Sequence, residues 1–309
     1  FNYHVNEYDM NKMFCVCLCL QALIFFWLNP GYIRRISART WVLFYFLINI
    51  EKFIVVNKCK NHIKMSRKNC LLAVFLLGFL IISYWIIGRL DEETAFKLSV
   101  EDGVIEYLSS LFFFIAALIS FYHFFVVKSV DKSYFLRTRK NYLILLLGLF
   151  FLFCAGEEIS WGQRILGIET PEYMLRENAQ KEFNFHNLYI FQGTDKDLNE
   201  KSGIQYWFTG HKLFAYFWIT FCILIPVVAA AVPRIRDFLR RIYFPLMPLW
   251  MGILFLVNHF ASKICEGMNL FSGATPIVET KETLFAFLFM VSAVFFCFDH
   301  KKQLKSKLL

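Results

Sequence analysis

The residues most suggestive of chemistry lie in one run, Gly156-Glu157-Glu158-Ile159-Ser160-Trp161-Gly162-Gln163-Arg164. It follows an apolar segment, Leu143–Ala155, so Glu157 and Glu158 sit toward the C-terminal part of that helix. The helix macrodipole opposes negative charge there, and adjacent carboxylates repel each other. A cation, a metal or a shared proton is expected to offset them. A continuing helix places Glu157, Ser160, Trp161 and Arg164 on one face. Such a face offers a general base or metal ligand in Glu157 or Glu158, with Arg164 to hold an anionic group. The structural alternative is a Glu–Arg pair at a membrane surface with Trp161 as an interfacial anchor.

A second polar constellation follows in the long segment 165–211. Thr170-Pro171-Glu172 reads as a helix start, with Thr170 as N-cap and Pro171 at the first helical position. Asn178, Gln180, Glu182, Asn184 and His186 then occupy alternate positions, followed by Asn187. In an extended segment they share one face. Amide, carboxylate and imidazole together suit a metal or a polar headgroup. The structural alternative is a solvated edge with Phe183 and Phe185 packed on the membrane domain.

Further ionisable groups are Glu101, Asp102, Glu106, His259, Glu279 and Glu282. The helix dipole gives a sufficient reason for carboxylates at helix N-termini, about 0.3–1 kcal/mol each, and Asp102, Glu106, Glu279 and Glu282 are expected there. The candidate catalytic set is Glu157, Glu158, Arg164 and His186. The candidate substrate-binding set is Asp102, Glu106, Asn178, Gln180, Asn184 and Asn187. The candidate metal set is Glu158, Glu182, His186 and His259, with zinc as a suitable divalent ion because a carboxylate–imidazole set can leave a position open for water.

The elements that position these residues are apolar. Of 309 residues, 58% are hydrophobic and 18% charged, against about 25% charged in a soluble domain. Six segments reach the length of a bilayer-crossing helix: Leu71–Gly88, Val104–Val127, Tyr142–Gly156 (continuing through Trp161), Leu213–Val232, Phe244–Ile264 and Thr283–Phe298. None alternates like a barrel strand, so the fold class is an all-α polytopic membrane helix bundle. Two weaker segments, Phe14–Leu28 and Trp41–Val56, would form an N-terminal hairpin if both are helical.

Loop charges alternate. Arg67–Lys68, the Lys128–Lys140 loop, Arg234–Arg241 and the Lys301–Lys307 tail are basic, and the intervening loops are acidic. Positive segments accumulate on the cytoplasmic side, which places both termini of the 65–309 domain there and the 165–211 loop outside. The net charge of +9 is therefore an orientation signal rather than a nucleic-acid footprint, and membrane lipids are the expected partner, with any protein partner unspecified. Residues 1–64 break the pattern, because Arg34, Arg35 and Arg39 and then Lys58, Lys60 and Lys64 flank one span. Met65-Ser66-Arg67-Lys68 before an apolar run reads as a start or signal anchor. The expectation is that 1–64 is an upstream or non-native extension, with a genuine hairpin as the alternative. The nine Cys form no Cys-x-x-Cys, and hydrolase and phosphate-loop motifs are absent.

The Gly156–Arg164 and Asn178–Asn187 segments resemble a functionally uncharacterised family of multi-pass bacterial inner-membrane proteins. That family carries a Gly-Glu-Glu-Ile-Ser-Trp-Gly-Gln-Arg run followed by Asn-x-Gln-x-Glu-x-Asn-x-His-Asn. The resemblance spans about residues 65–298 and implies the bacterial inner (cytoplasmic) membrane. A weaker resemblance is to CAAX-type intramembrane proteases, through Phe255…His259. Arg164 lies six residues after Glu158 where that motif has four, and His259 leads to Lys263 rather than a small polar or acidic residue.

Three functions compete. The first is an outward-facing, metal-dependent or metal-free hydrolase or transferase of a lipid or lipid-linked substrate. The second is an ion-coupled transporter, and the third a non-catalytic subunit that docks a partner through its outer loop.

Overall fold

The structure is a computed structural model that describes residues 66–100, 103–127 and 138–308, with side chains to residue 298. The expected N-terminal extension or hairpin, and Glu101 and Asp102, lie outside the described residues. Among those described, every regular element is helical, and the expected all-α bundle is what the chain forms.

Some of the helices begin at side chains that supply missing acceptors. Ser66 caps α1 (Arg67–Ile87) by accepting from Asn69 N at 3.2 Å. Asp91 caps α2 (Glu92–Ser99) through Thr94 N at 2.9 Å. After α3 (Val104–Val126), Asn141 caps α4 (Tyr142–Glu158): its carbonyl oxygen accepts from Leu143 N, and its amide donates to Tyr243 O at 2.8 Å. Each cap satisfies a helix-end amide that would otherwise lack a partner.

Short elements follow α4: a single 3₁₀ turn (Ser160–Gly162), α5 (Gln163–Leu166), α6 (Glu172–Glu177) and α7 (Gly203–Trp207). The next span, Gly210–Ala231, consists of α8 (Gly210–Ile219), a π turn at Thr220–Leu224 and α9 (Ile225–Ala231). Pro226 removes a backbone donor, and the turn before it widens to the π form. The chain ends in α10 (Pro233–Arg241), α11 (Leu249–Gly267) and α12 (Thr275–Leu308).

Helix α3 packs along both α4 and α12, and α11 packs against α12 and α1. Phe289 on α12 marks their meeting point. It is fully buried, and its ring neighbours Phe113 of α3, Phe151 of α4, Phe214 and Phe217 of α8 and Phe255 of α11, with centroids 4.7–6.3 Å away. Aromatic faces and edges at such spacing add packing energy where the hydrophobic effect between lipid-embedded helices is weak.

Among the described residues, four helices are long and apolar enough to cross a membrane, or five if α4 and its bent continuation count as one span. The sequence led us to expect six. The expected span Phe244–Ile264 differs in two ways. Its helix starts at Leu249 rather than Phe244, after Pro245 and Pro248, and it carries Asn258, His259, Lys263 and Glu266. That polar content lowers its hydropathy, yet its buried face, from Trp250 to Cys265, is central to the core. The expected helical run through Trp161 is also corrected, because α4 stops at Glu158 and the chain bends by 72°. Finally, α12 begins at Thr275, so Glu279 and Glu282 lie inside the helix rather than at its N-terminus. Dipole placement therefore explains Glu106, which is in the first turn of α3, but neither of those two.

Candidate functional site

The bend after α4 builds the site. Ser160 (φ 46°), Trp161 (φ 55°) and Gly162 (φ 75°) are consecutive left-handed residues. Two of them are not glycine, so tertiary contacts must hold the conformation. Trp161 folds back across α4 and its indole Nε1 donates to Glu157 Oε1 at 2.7 Å. Gly156 makes this approach possible: a Cβ at that position would lie 2.9 Å from the indole ring. Ser160 Oγ donates to Glu182 Oε2 in a short hydrogen bond.

The two adjacent glutamates therefore diverge. Glu157 is buried and points to the 165–211 loop. Its Oε2 accepts from Phe185 N at 2.7 Å and His186 N at 2.8 Å, and lies 3.3 Å from His186 Nδ1. With the Trp161 indole, these donors surround the carboxylate. Glu158 points into the bundle. There it lies within electrostatic reach of Glu282, Glu279 and Glu106 and beside the buried Ser109 hydroxyl. Hydrogen bonds between helices fix that neighbourhood, from Ser110 Oγ to Ala155 O (2.8 Å) and from Thr283 Oγ1 to Ile105 O (3.0 Å).

The downstream loop closes on itself. Asn178 accepts from Gln180 N (2.9 Å) and Glu182 N (3.3 Å), and its amide donates to the backbone and side-chain oxygens of Asn184, both at 2.8 Å. Asn184 donates to Ser160 Oγ at 2.9 Å and to Glu182 Oε2 at 3.1 Å. Arg164 pairs with Glu182 and not with Glu157. Asn187 donates to Gln180, and Gln192 donates to Asn187 Oδ1 at 3.0 Å. The alternating polar residues accordingly share no extended face. Asn178, Glu182, Asn184 and Asn187 are buried, whereas Gln180 and His186 are exposed. The expected helix start shifts too: Pro171 is the cap of α6, and Thr170 instead accepts from the Gln163 side chain.

His186 keeps 45% of its side chain exposed while its Glu157 partner keeps 7%. A buried carboxylate on one ring nitrogen orients the ring and leaves Nε2 for another partner. A second pair of the same kind stands nearby, with His211 Nδ1 3.5 Å from Glu282 Oε1, which Lys281 Nζ also approaches at 3.5 Å. Gly210, just before His211, packs within 3.7 Å of the His186 carbonyl for an added Cβ. Neither His211 nor Lys281 is marked by motif or spacing, nor is Gln163, whose Oε1 accepts from Phe183 N at 2.6 Å. An isolated His in an apolar run carries no periodic signal. Gln163 had only its place in the run to mark it.

The expected metal set is dispersed. Glu182 is held by Ser160, Arg164 and Asn184, His186 by Glu157, and Glu158 lies among other carboxylates. His259 stacks near Trp218 and Phe260, with ring centroids 5.6 and 5.2 Å away. Among the described residues no group of three or more His, Cys, Asp or Glu is arranged to hold a metal ion. Asp102, expected to bind substrate, lies outside the described residues. Comparison with known protein families, with curated proteins and with solved structures finds no match.

Proposed function

We propose that this chain is a hydrolase or transferase embedded in a bacterial inner membrane. On this reading it belongs to the multi-pass family its motifs resemble, has both termini of residues 65–309 in the cytoplasm, and acts at the outer face on a lipid or lipid-linked substrate. The observation that carries the reading is the pairing of two histidines with two carboxylates on neighbouring segments, His186 with Glu157 and His211 with Glu282. In the reaction we infer, His186 Nε2 takes the proton from water or an acceptor hydroxyl. The oxygen bonds to the ester carbon or phosphorus, the bond to the leaving oxygen breaks, and protonated His211 supplies the proton the leaving group needs. Glu157 fixes the His186 ring, Glu282 supports the charged form of His211, and Arg164 holds an anionic headgroup beside them. Such acid–base pairs contribute about 10²–10⁴-fold in rate.

The test is to incubate purified protein with vesicles of phosphatidylethanolamine, phosphatidylglycerol and cardiolipin in ¹⁸O-water and analyse products by mass spectrometry. Label in a released acid or headgroup marks hydrolysis, and exchanged headgroups mark transfer. Expected is turnover that falls on His186→Ala and on His211→Ala. Absence of turnover, or turnover that survives both substitutions, overturns the proposal.

One observation favours an ion-coupled carrier instead: the gathering of Glu106, Glu158, Glu279 and Glu282 between helices, since carboxylates within spans relay protons or bind cations. Proton or sodium flux in vesicles that is lost on Glu158→Gln but kept on His186→Ala is the outcome that selects it.

A further inference from the structure

Helix α10 (Pro233–Arg241) takes no part in the site above. It is short, strongly two-sided and mostly exposed. At 3.6 residues per turn, Ile235, Phe238 and Leu239 fall within an arc of about 100°. Arg234 and Arg241 border that arc with Asp237 on one side, and Arg236 and Arg240 lie on the other. Ile235 keeps 39% and Phe238 53% of its surface exposed, so the apolar stripe packs poorly on the rest of the chain. Arg234, Arg240 and Arg241 are exposed as well. Arg236 is the covered member, with a side chain 14% exposed and Nε 3.6 Å from Asp237.

The neighbouring elements fix where this helix sits. Its N-terminus joins the membrane-spanning Gly210–Ala231 unit through Val232, whose extended backbone (φ −117°, ψ 99°) separates the two helices. At its other end, left-handed Tyr243 (φ 53°) is buried and its carbonyl accepts from Asn141, the residue that caps α4. One end therefore leaves a span and the other is tied to the start of another. Both anchors are ends of long apolar helices. A helix between them that is apolar on one side and cationic along both margins has the design of a segment lying in a bilayer interface.

We propose that α10 is an interfacial helix that binds anionic phospholipid, with Ile235, Phe238 and Leu239 among the acyl chains and Arg234, Arg240 and Arg241 on the phosphates. The occupant is a lipid surface because the stripe continues the lipid-facing surface of the span it follows, where Val227, Val228 and Val232 are also exposed. The charge fits as well: arginine forks match phosphate, and each basic side chain near an anionic surface strengthens binding roughly fivefold. The proposal rests on the membrane architecture and is independent of the catalytic reading.

The experiment uses the full chain in detergent, offered equal amounts of phosphatidylglycerol and phosphatidylcholine, with retained lipid counted by native mass spectrometry. Expected is a phosphatidylglycerol preference that drops roughly fivefold for each of Arg234→Gln, Arg240→Gln and Arg241→Gln, with an unchanged melting temperature. Hydrogen exchange of wild-type chain in nanodiscs needs no variant. Amides of 234–241 are expected to exchange more slowly in discs containing phosphatidylglycerol than in phosphatidylcholine alone. Equal retention of the two lipids, a preference that survives all three substitutions, exchange indifferent to lipid charge, or displacement by soluble glycerol phosphate each overturns the proposal.

Discussion

Replacing Glu157 by Gln tests whether this one carboxylate holds the loop to the bundle. The substitution keeps shape and removes charge. A Gln oxygen in the place of Oε2 still accepts from Phe185 N and His186 N, but the amide nitrogen then faces Trp161 Nε1 across 2.7 Å, donor against donor. The flipped amide would oppose two backbone donors, so the first orientation is the better of the two. Hydrogen bonds to a charged acceptor contribute about 1.5–3 kcal/mol and neutral ones about 0.5–1.5, so the two backbone bonds weaken together by about 2 kcal/mol, and the stranded indole costs about 1–3 more. Burying a neutral group in place of an ion returns part of this. A net loss of about 2–4 kcal/mol remains, equivalent to roughly 30- to 700-fold in an opening equilibrium. Hydrogen exchange with peptide resolution is the assay. Amides of Phe185 and His186 should lose protection by that factor, while those of Val104–Val126 stay unchanged. Protection at the two loop amides that stays within about threefold of wild type would refute the account of Glu157 as the clasp.

Three other substitutions probe separate parts of the structure. Gly156→Ala places a methyl 2.9 Å from the Trp161 ring, so it should push the indole off Glu157, red-shift tryptophan emission and destabilise the loop by about 1–3 kcal/mol. Phe289→Ala leaves a cavity where rings from four other elements meet and should cost about 3–5 kcal/mol, read as a lowered unfolding midpoint. In the loop turn, Asp195 accepts from Asn199 N and Asp197 N, each at 2.9 Å, and these backbone bonds hold its carboxyl below the usual aspartate value. A depressed folded-state value means the turn's stabilisation is present above the ordinary value of about 4 and is lost as pH falls through the lower one. The Asp197 and Asn199 amides should therefore lose protection, relative to their intrinsic exchange rates, in that acid window, and Asp195→Asn should abolish the pH response.

The bundle was legible because apolar length is a strong signal, and the spans at Leu71, Val104, Tyr142, Leu213 and Thr283 all lie on described helices. The site was legible as a set of residues but not as a geometry. Periodicity placed Glu157 and Arg164 on one helical face, whereas the helix ends between them. The left-handed run at Ser160–Gly162 depends on bonds to Glu182 and Glu157, and Glu182 is over twenty residues from Ser160. The period-2 reading of 178–186 failed for a related reason. Asn178 caps its own loop, which turns alternate polar side chains inward instead of along a strand. Helix register at Glu279 and Glu282 was misjudged because Thr275–Lys281 is too polar for a hydropathy window to extend the span.

The ring of Phe289 bears on how the bundle can move. A carrier that alternates access needs a seam along which one half rocks past the other. Here a single side chain on α12 touches rings from α3, α4, α8 and α11, so a seam drawn between any of these helices and α12 would have to tear an aromatic contact. A motion that keeps those contacts moves the cluster as one block and leaves the elements outside it free to shift, the loop clasped by Glu157 near the end of α4 and the arginine helix near its start.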